Sequence, residues 1–308
     1  MSKARRFAFI LNPQAGRGRA RHMERRLLRF LNERSIDFTL ERTREPLHAT
    51  SIASLASKEF DVVVAVGGDG TVNEVANGIA GTNAAMGIVP VGSGNDFNRV
   101  VGVPRTLDGA LNSLVNGVRK FFDVGQLTFH GSEHDSVQKR RFINSLGIGL
   151  DAVVADYTRQ IRWLRGLPLY LTAVMRALYR LERHELSFTL DDWQYRRKVF
   201  LLCIGNGMFE GGGFRLTPNA DPQDQKFEVC AIEDMPILRA LGLIPAIIQG
   251  RHAQHPRVVM RDASIIDVSS QRPFAVHADG EVLGRGITHV RAEIQAGAVG
   301  VLVPPPIL

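Results

Sequence analysis

The string Val62-Val63-Val64-Ala65-Val66-Gly67-Gly68-Asp69-Gly70-Thr71-Val72-Asn73-Glu74 ends an apolar run in three glycines within four residues and then begins a helical pattern. Glycine lets the backbone turn sharply and lets a ligand approach the main chain. The helix start that follows offers N–H groups without intrahelical partners and a partial positive charge, which suits a phosphate. Asp69 then sets a carboxylate beside a polyphosphate, a placement that makes sense where it holds Mg²⁺ or steers a hydroxyl. The plain alternative is a tight turn in which Asp69 caps the helix. The string lacks the Gly-Lys-Ser/Thr of a P-loop and is not GxGxxG. A second turn has the same form, Pro90-Val91-Gly92-Ser93-Gly94-Asn95-Asp96-Phe97, where Ser93 adds a hydroxyl donor and Asn95 or Asp96 can cap the next helix. A third, Asn12-Pro13-Gln14-Ala15-Gly16-Arg17-Gly18, has ordinary turn composition by itself. Three such turns at strand ends say more together than any one alone.

Two acidic spots lie later in the chain. Val276-His277-Ala278-Asp279-Gly280-Glu281 contains Asp-Gly, a strong hairpin signal, and reads as a surface turn or as the carrier of a functional carboxylate at Glu281. His277, Asp279 and Glu281 also permit a metal cluster, although a turn would scatter their side chains. Asp221-Pro222-Gln223-Asp224-Gln225-Lys226 reads as a polar loop before a strand. Gly211-Gly212-Gly213-Phe214 reads as a loop that lines a cleft or is simply mobile.

The elements that must position these residues fall into two groups. Apolar runs at Phe7–Leu11, Phe38–Leu40, Val62–Val66, Met86–Val91 and Phe121–Val124 alternate with helical patterns near 19–34, 47–58, 72–80 and 106–116. That alternation predicts an α/β domain, a parallel sheet with helices on both faces, over residues 1–124. Open sheets of this kind place ligands at strand ends. Beyond it, period-two segments at Leu186–Leu190, Lys198–Ile204, Phe227–Ile232, Ser264–Val268, Ala275–Ala278 and Val290–Ile294 predict a mostly antiparallel β-sandwich over 125–296. Helices near 163–182 and 236–250 interrupt it. An apolar, Pro-rich tail from 297 to 308 can pack back on the first domain.

The composition, 44% apolar and 22% charged in 308 residues, is that of a globular protein and excludes a disordered or collagen-like chain. No apolar run reaches the roughly 20 residues of a spanning helix, and the apolar start is too short for a signal peptide. Two cysteines are too few for a disulfide scaffold and point to a reducing cytoplasm. The formal charge of +7 is uneven: residues 1–34 carry +8 and the remainder is near neutral. A basic face of this kind fits phosphate or an anionic membrane. Nucleic acid is not needed to explain it, since no aromatic residues interleave the basic run. Arg17 and Arg19 are placed to face a nucleotide. Arg159, Arg162, Arg165, Arg176, Arg180 and Arg183 flank Trp163, Leu164, Leu167, Leu169 and Tyr170, which fits a solvated basic helix face or a contact with a membrane surface.

Taken together, Asn12-Pro13…Gly16, the Gly67–Glu74 string, Pro90–Phe97, Asp123-Val124-Gly125, Phe142-Ile143-Asn144…Gly147-Ile148-Gly149, Pro218-Asn219-Ala220…Asp224 and Asp279-Gly280-Glu281 resemble the diacylglycerol kinase catalytic-domain family, in particular its bacterial soluble lipid kinases. The resemblance covers nearly the whole chain. The Gly-Gly-Asp-Gly-Thr turn alone is shared with NAD kinases and phosphofructokinases, and an NAD kinase is the alternative within the same fold. The resemblance implies ATP against Asn12, Pro13, Gln14, Ala15, Gly16, Thr43, Gly67, Gly68, Asp69, Gly70, Thr71, Val72, Asn73 and Ser93. It implies Glu281 as general base with Asp69 and Asp96 as supporting acids. It implies Mg²⁺, including a structural ion held by the Asp224 side chain with the carbonyls of Asp221 and Lys226, although Gln225 stands where glycine is usual. The acceptor it implies is a lipid hydroxyl, diacylglycerol first and phosphatidylglycerol or a sphingoid base as alternatives. The partner is then an anionic membrane surface reached from the cytoplasm. A homodimer is compatible with the sequence.

Overall fold

The structure, a computed structural model, describes residues 5–131, 134–161, 164, 166–179 and 184–305. The chain divides into two compact units, Met1–Phe122 with Gly297–Leu308, and Asp123–Ala296.

The first unit runs β1 (Phe7–Leu11), α1 (Arg19–Glu33), β2 (Phe38–Arg42), α2 (His48–Ala56), β3 (Val62–Gly67), α3 (Asp69–Ile79), β4 (Ala85–Pro90), α4 (Asp96–Val101) and α5 (Leu107–Asn116), and β5 (Val118–Gly131) leads out of it. The strands pair in parallel in the order β4-β3-β1-β2, with Phe7 beside Val62 and Phe38 in register. Every residue of β1, β3 and β4 is buried. Such uninterrupted apolar runs are what a parallel sheet covered on both faces requires. On α1, Ala20, Leu27 and Leu31 are buried while Arg21, Arg25, Arg26 and Arg29 are exposed, so the basic run forms the outer stripe of an amphipathic helix. Thr106 caps α5 by accepting the Gly109 N–H at 3.3 Å.

The second unit continues with β6 (His134–Phe142), β7 (Ser145–Gly149), α6 (Leu150–Gln160), α7 (Gly166–Tyr179), β8 (His184–Leu190), β9 (Trp193–Gly205), β10 (Phe227–Glu233), α8 (Ile237–Gln249), β11 (Val258–Ala263), β12 (Ile265–Ala278) and β13 (Glu281–Val303). Its antiparallel order is β11-β10-β9-β7-β12-β13, with β8 beside both β12 and β9 and β6 beside β5. One core gathers Phe142, Phe227, Phe274, Leu146, Val268 and Ile287 between strands. Another gathers Val154, Ala173, Phe200, Phe214, Leu243 and Ile247 beneath α6, α7 and α8. The far end of β13 belongs to the first unit, where Gly300 and Val301 pair in parallel with Ala85 and Met86 of β4.

Several elements differ from the sequence pattern. Helix α4 is six residues long, too short to show a helical period. The expected helix near 163–182 is α7, and a separate α6 precedes it. The segments read at 264–268 and 275–278 are one strand, β12, whose register shifts between Ser269 and Phe274. Strand β7, Ser-Leu-Gly-Ile-Gly, is too rich in glycine to register as a strand. Of the basic and apolar cluster, Arg162, Trp163, Arg165, Arg180 and Arg183 lie outside the described residues. Arg159, Leu167 and Tyr170 are described by backbone alone, in α6 and α7. Leu164 and Leu169 are partly buried against the core beneath the helices.

Candidate functional site

In the first unit the Gly-rich turns at the ends of β1, β3 and β4 meet. Each strand stops where its turn leaves the sheet, so the parallel order β4-β3-β1 brings residues near 12–18, 67–71 and 91–96 to one end. A Cβ at Gly92 would stand 2.7 Å from the Gly68 Cα and 2.6 Å from Asn95 Oδ1. A Cβ at Gly16 would stand 2.4 Å from the Val91 carbonyl oxygen. Both positions therefore hold glycine because backbone lies against backbone. Gly16 also has φ +59°, in the left-handed region that glycine tolerates.

Asp69 joins two of the turns. It opens α3, and its carboxylate accepts the N–H of Asn95 on Oδ2 at 2.8 Å and that of Asp96 on Oδ1 at 2.6 Å. The alternative of Asp69 as a simple helix cap is not what forms, since Gly68 holds the cap position. Burial pushes the Asp69 carboxyl above its ordinary range, against those two amide bonds and the Arg99 charge. The space a Cβ would take at Gly94 is 2.9 Å from Asp69 Oδ2 and 3.4 Å from Asp96 Oδ2, so the two carboxylates flank one point. Asp96 is buried, and Arg99 Nε lies 4.0 Å from its Oδ1. Ser93 is exposed at the apex, with its carbonyl accepting from Arg105 at 3.3 Å.

The third turn is tied in by side chains. Asn12 donates from Nδ2 to Thr71 Oγ1 at 3.1 Å and accepts the Gln14 N–H on Oδ1 at 3.0 Å. The Thr43 N–H donates to the Leu11 carbonyl at 2.9 Å, placing Thr43 at the end of β2 beside that turn. Arg19 reaches the Val91 carbonyl at 3.1 Å and the Gly16 carbonyl at 3.2 Å. The guanidinium expected to face a nucleotide is thus committed to bracing two turns. Val72, in the Gly67–Glu74 string, has a buried side chain, and its N–H donates to the Gly68 carbonyl at 3.0 Å. Glu74, in the same string, accepts the Ala49 N–H at the start of α2 at 3.0 Å, a structural task. Pro13, Gln14 and Ala15 lie in the turn after β1, Gly67 ends β3, and Gly70 and Asn73 fall in α3, whose first-turn N–H groups have no intrahelical acceptor. Close-packed glycines, a helix start, an exposed hydroxyl and two carboxylates form a donor set that fits a nucleotide polyphosphate with its Mg²⁺.

In the second unit the Asp279-Gly280-Glu281 turn joins β12 to β13. The Asp279 carboxylate accepts the N–H groups of Ile143, Asn144 and Ser145, each at 2.9 Å. His277 is buried, with Nε2 3.1 Å from Glu210 Oε1. Glu281 lies partly exposed with Oε1 3.6 Å from a guanidinium nitrogen of Arg140 on β6. The three side chains therefore turn to three different partners rather than to one metal. Arg140 and Glu210 carry no motif signal; their roles follow from strand neighbours distant in sequence.

The Asp221–Lys226 loop is closed by local bonds. Asp221 accepts the Gln223 N–H at 3.1 Å, Asp224 accepts the Lys226 N–H at 2.9 Å, and the Asp221 carbonyl accepts the Asp224 N–H at 3.2 Å. Gln225 adopts φ +64°, the left-handed conformation glycine would supply, and its N–H donates to Asp123 Oδ2 at 2.8 Å. Burial first, then the charges of Asp221, Asp262 and Asp123 against the Lys226 amide bond, pushes the Asp224 carboxyl up. Among the described residues no group of three or more His, Cys, Asp or Glu side chains converges as metal ligands do. The same unit holds an apolar pocket lined by Val154, Val174, Phe200, Phe214, Leu243 and Ile247. Among the described residues no helix is long and apolar enough to cross a membrane, and both cysteines are buried.

Residues 6–127 match the model of the diacylglycerol kinase catalytic domain, and residues 144–303 match that of the YegS C-terminal NAD kinase beta sandwich-like domain. A Bacillus subtilis (strain 168) protein named diacylglycerol kinase is 26% identical over 287 residues, covering 91% of each chain. A Mycobacterium tuberculosis protein of the same name is 28% identical over 276 residues, 88% of this chain and 87% of that one. A crystal structure described as a diacylglycerol kinase from Bacillus anthracis str. Sterne superposes with a TM-score of 0.74 at 21% identity over the full length of both chains. Yeast NADH kinase, solved with NADH, superposes with a TM-score of 0.53 at 9% identity, covering 99% of this chain and 85% of that one. These last two likenesses concern the fold.

Proposed function

Because the chain belongs to the diacylglycerol kinase family of lipid kinases, which are phosphotransferases, we propose that it transfers the γ-phosphoryl group of ATP to the free hydroxyl of diacylglycerol, giving phosphatidic acid. The observation that carries the choice of acceptor is the likeness, along nine-tenths of both chains, to a protein named for diacylglycerol. The turns at Asn12–Gly16, Gly67–Asn73 and Ser93, with Thr43, hold the nucleotide, and their close backbone contacts keep the donor groups in place before it arrives.

Phosphoryl transfer depends mainly on positioning and on neutralising charge, and Mg²⁺ supplies that neutralisation on the phosphate oxygens when bound. Asp69 and Asp96 are the carboxylates suited to hold it there. Asp69 in addition fixes the second turn through the Asn95 and Asp96 amides. Glu281 accepts the proton that the lipid hydroxyl loses as it attacks. Arg140 holds the Glu281 side chain from β6 until the acceptor binds. Asp224, with the carbonyls of Asp221 and Lys226, holds a structural Mg²⁺, and the left-handed Gln225 supports this by keeping the turn that glycine would give. The enzyme meets its substrate at an anionic membrane surface, approached from a reducing compartment with its exposed α1 arginines adding to the attraction.

Labelled ATP supplied with anionic vesicles that contain diacylglycerol, phosphatidylglycerol or a sphingoid base, or with NAD in solution, tests this. Label in phosphatidic acid is the expected result. Label only in another lipid would replace the acceptor, and label only in NAD would overturn the lipid reading of this chain.

A further inference from the structure

We propose that Glu210 and His277 are positioning residues that fix the turn bearing Glu281 and tie it to the Gly211–Gly213 loop. The proposal rests on the reading of Glu281 as proton acceptor.

The turn is held from two sides. On one, Asp279, at φ +48°, accepts three consecutive amides and donates its own N–H to the Ser145 carbonyl at 2.8 Å. On the other, the Gly280 N–H donates to His277 Nδ1 at 3.2 Å. Gly280 is the residue immediately before Glu281, so this bond sets the direction in which the Glu281 backbone leaves the turn. An imidazole that accepts at Nδ1 carries its proton at Nε2. His277 Nε2 stands 3.1 Å from Glu210 Oε1, an ion-pair distance at which the carboxylate faces that nitrogen.

Glu210 is itself held. Its Oε1 accepts from Ser145 Oγ at 3.0 Å and its Oε2 from Cys203 Sγ at 3.3 Å. Burial pushes the Glu210 carboxyl up, while its contacts with His277, Cys203 and Ser145 bring it below its ordinary range. Along the backbone, the Glu210 carbonyl accepts from both Gly213 at 3.1 Å and Phe214 at 2.8 Å, and the Glu210 N–H donates to the Phe214 carbonyl at 2.9 Å. The carboxylate therefore anchors a loop of three glycines, all at positive φ, to the imidazole that holds the turn.

Stability is a poor reason for such a pair. Taking a carboxylate out of water is costly, and apolar residues of similar volume often replace buried polar pairs without loss. Their position one bond from the functional turn supplies the other reason. Neither side chain needs to touch substrate for this task.

Histidine tautomers read by nitrogen-15 NMR on the full chain test the geometry without a variant. The signals expected for His277 are those of a neutral ring protonated at Nε2; a ring protonated at Nδ1 overturns the proposal. Kinetics test the role. His277→Leu removes one partner of a buried pair and should lower the melting temperature; with the KM for ATP within about twofold, it should also lower kcat by about a hundredfold, as small misplacements of a reacting group do. His277→Gln, whose amide can accept from Gly280 and donate to Glu210, should recover most of that loss. A His277→Leu enzyme with wild-type kcat, or a His277→Gln enzyme as slow as His277→Leu, overturns the proposal. Glu281→Gln separates the two failures: if it keeps its turnover, the reading of Glu281 as base falls and takes this role with it. If Glu281→Gln is inactive while His277→Leu is not, only the positioning role falls.

Discussion

The two tasks of the Asp69 carboxylate, fixing a turn and, as proposed, holding Mg²⁺, both favour its charge, and its burial opposes them. The Asn95 and Asp96 amides favour the anion, as does a metal, while burial favours the neutral acid and prevails in the nucleotide-free protein. A carboxyl raised in the fold stabilises it fully below its unfolded value near pH 4 and loses that contribution as the pH rises through the folded value. The melting temperature of the free protein should therefore fall relative to that of Asp69→Asn between about pH 4 and neutrality. A difference that does not move with pH would contradict the burial argument. The role proposed for Glu281, accepting the proton of the lipid hydroxyl, makes a sharper demand, since it needs the charge itself. Glu281→Gln should reduce turnover by about a hundredfold or more and leave ATP affinity, measured by calorimetry, nearly intact; equal loss of both would remove its role as base. Residue types near these positions were legible in the sequence, because glycine and aspartate clusters at strand ends have few other uses. Their partners were not. Asp69 bonds to amides 26 and 27 positions away, and His277 faces Glu210 across a distance that only the order of strands defines.

At the scale of elements the three Gly-rich turns work as one object, because the parallel order of β4, β3 and β1 stacks their ends. Gly92→Ala tests this. Its Cβ would meet the Gly68 Cα at 2.7 Å, a backbone atom that cannot rotate away. Separating the turns should cost about 1–3 kcal/mol of stability, the usual range for overpacking, and should raise the KM for ATP more than that for lipid. Urea unfolding and a two-substrate kinetic matrix check it, and an unchanged KM for ATP would mean that the turns bind independently. The sequence displayed the strands of the first unit well, since buried parallel strands are uninterrupted apolar runs. It displayed α1 through its apolar stripe. It hid β7, whose glycines lower strand propensity, and α4, whose six residues fall short of two helical turns. Arginine proved ambiguous for a different reason. Position beside a phosphate-type turn says nothing about whether the guanidinium faces the ligand or, as with Arg19, braces carbonyls from behind.

For the molecule as a whole, the chain leaves the first unit after Phe122 and returns to it at Gly297, so the unit is built from residues at both ends of the sequence. The returning segment is not an accessory. Gly300 and Val301 extend the parallel sheet beside β4, and Val299, Val301, Leu302 and Val303 are each no more than 4% exposed. Burying side chains of that size contributes about 1.5–3 kcal/mol apiece, which for four of them approaches the 5–15 kcal/mol that holds a typical domain together. A chain ending at Ala296 should therefore lose the first unit, with its ATP binding, while the strands of the second, which are paired among themselves from Gly125 to Ile294, remain folded. Limited proteolysis should cut the shortened chain throughout residues 5–122 and spare the remainder. Retention of full ATP affinity in that chain would show that the sheet is complete without its last strand, and that the exposed edge of β4 does not matter to the turns it carries.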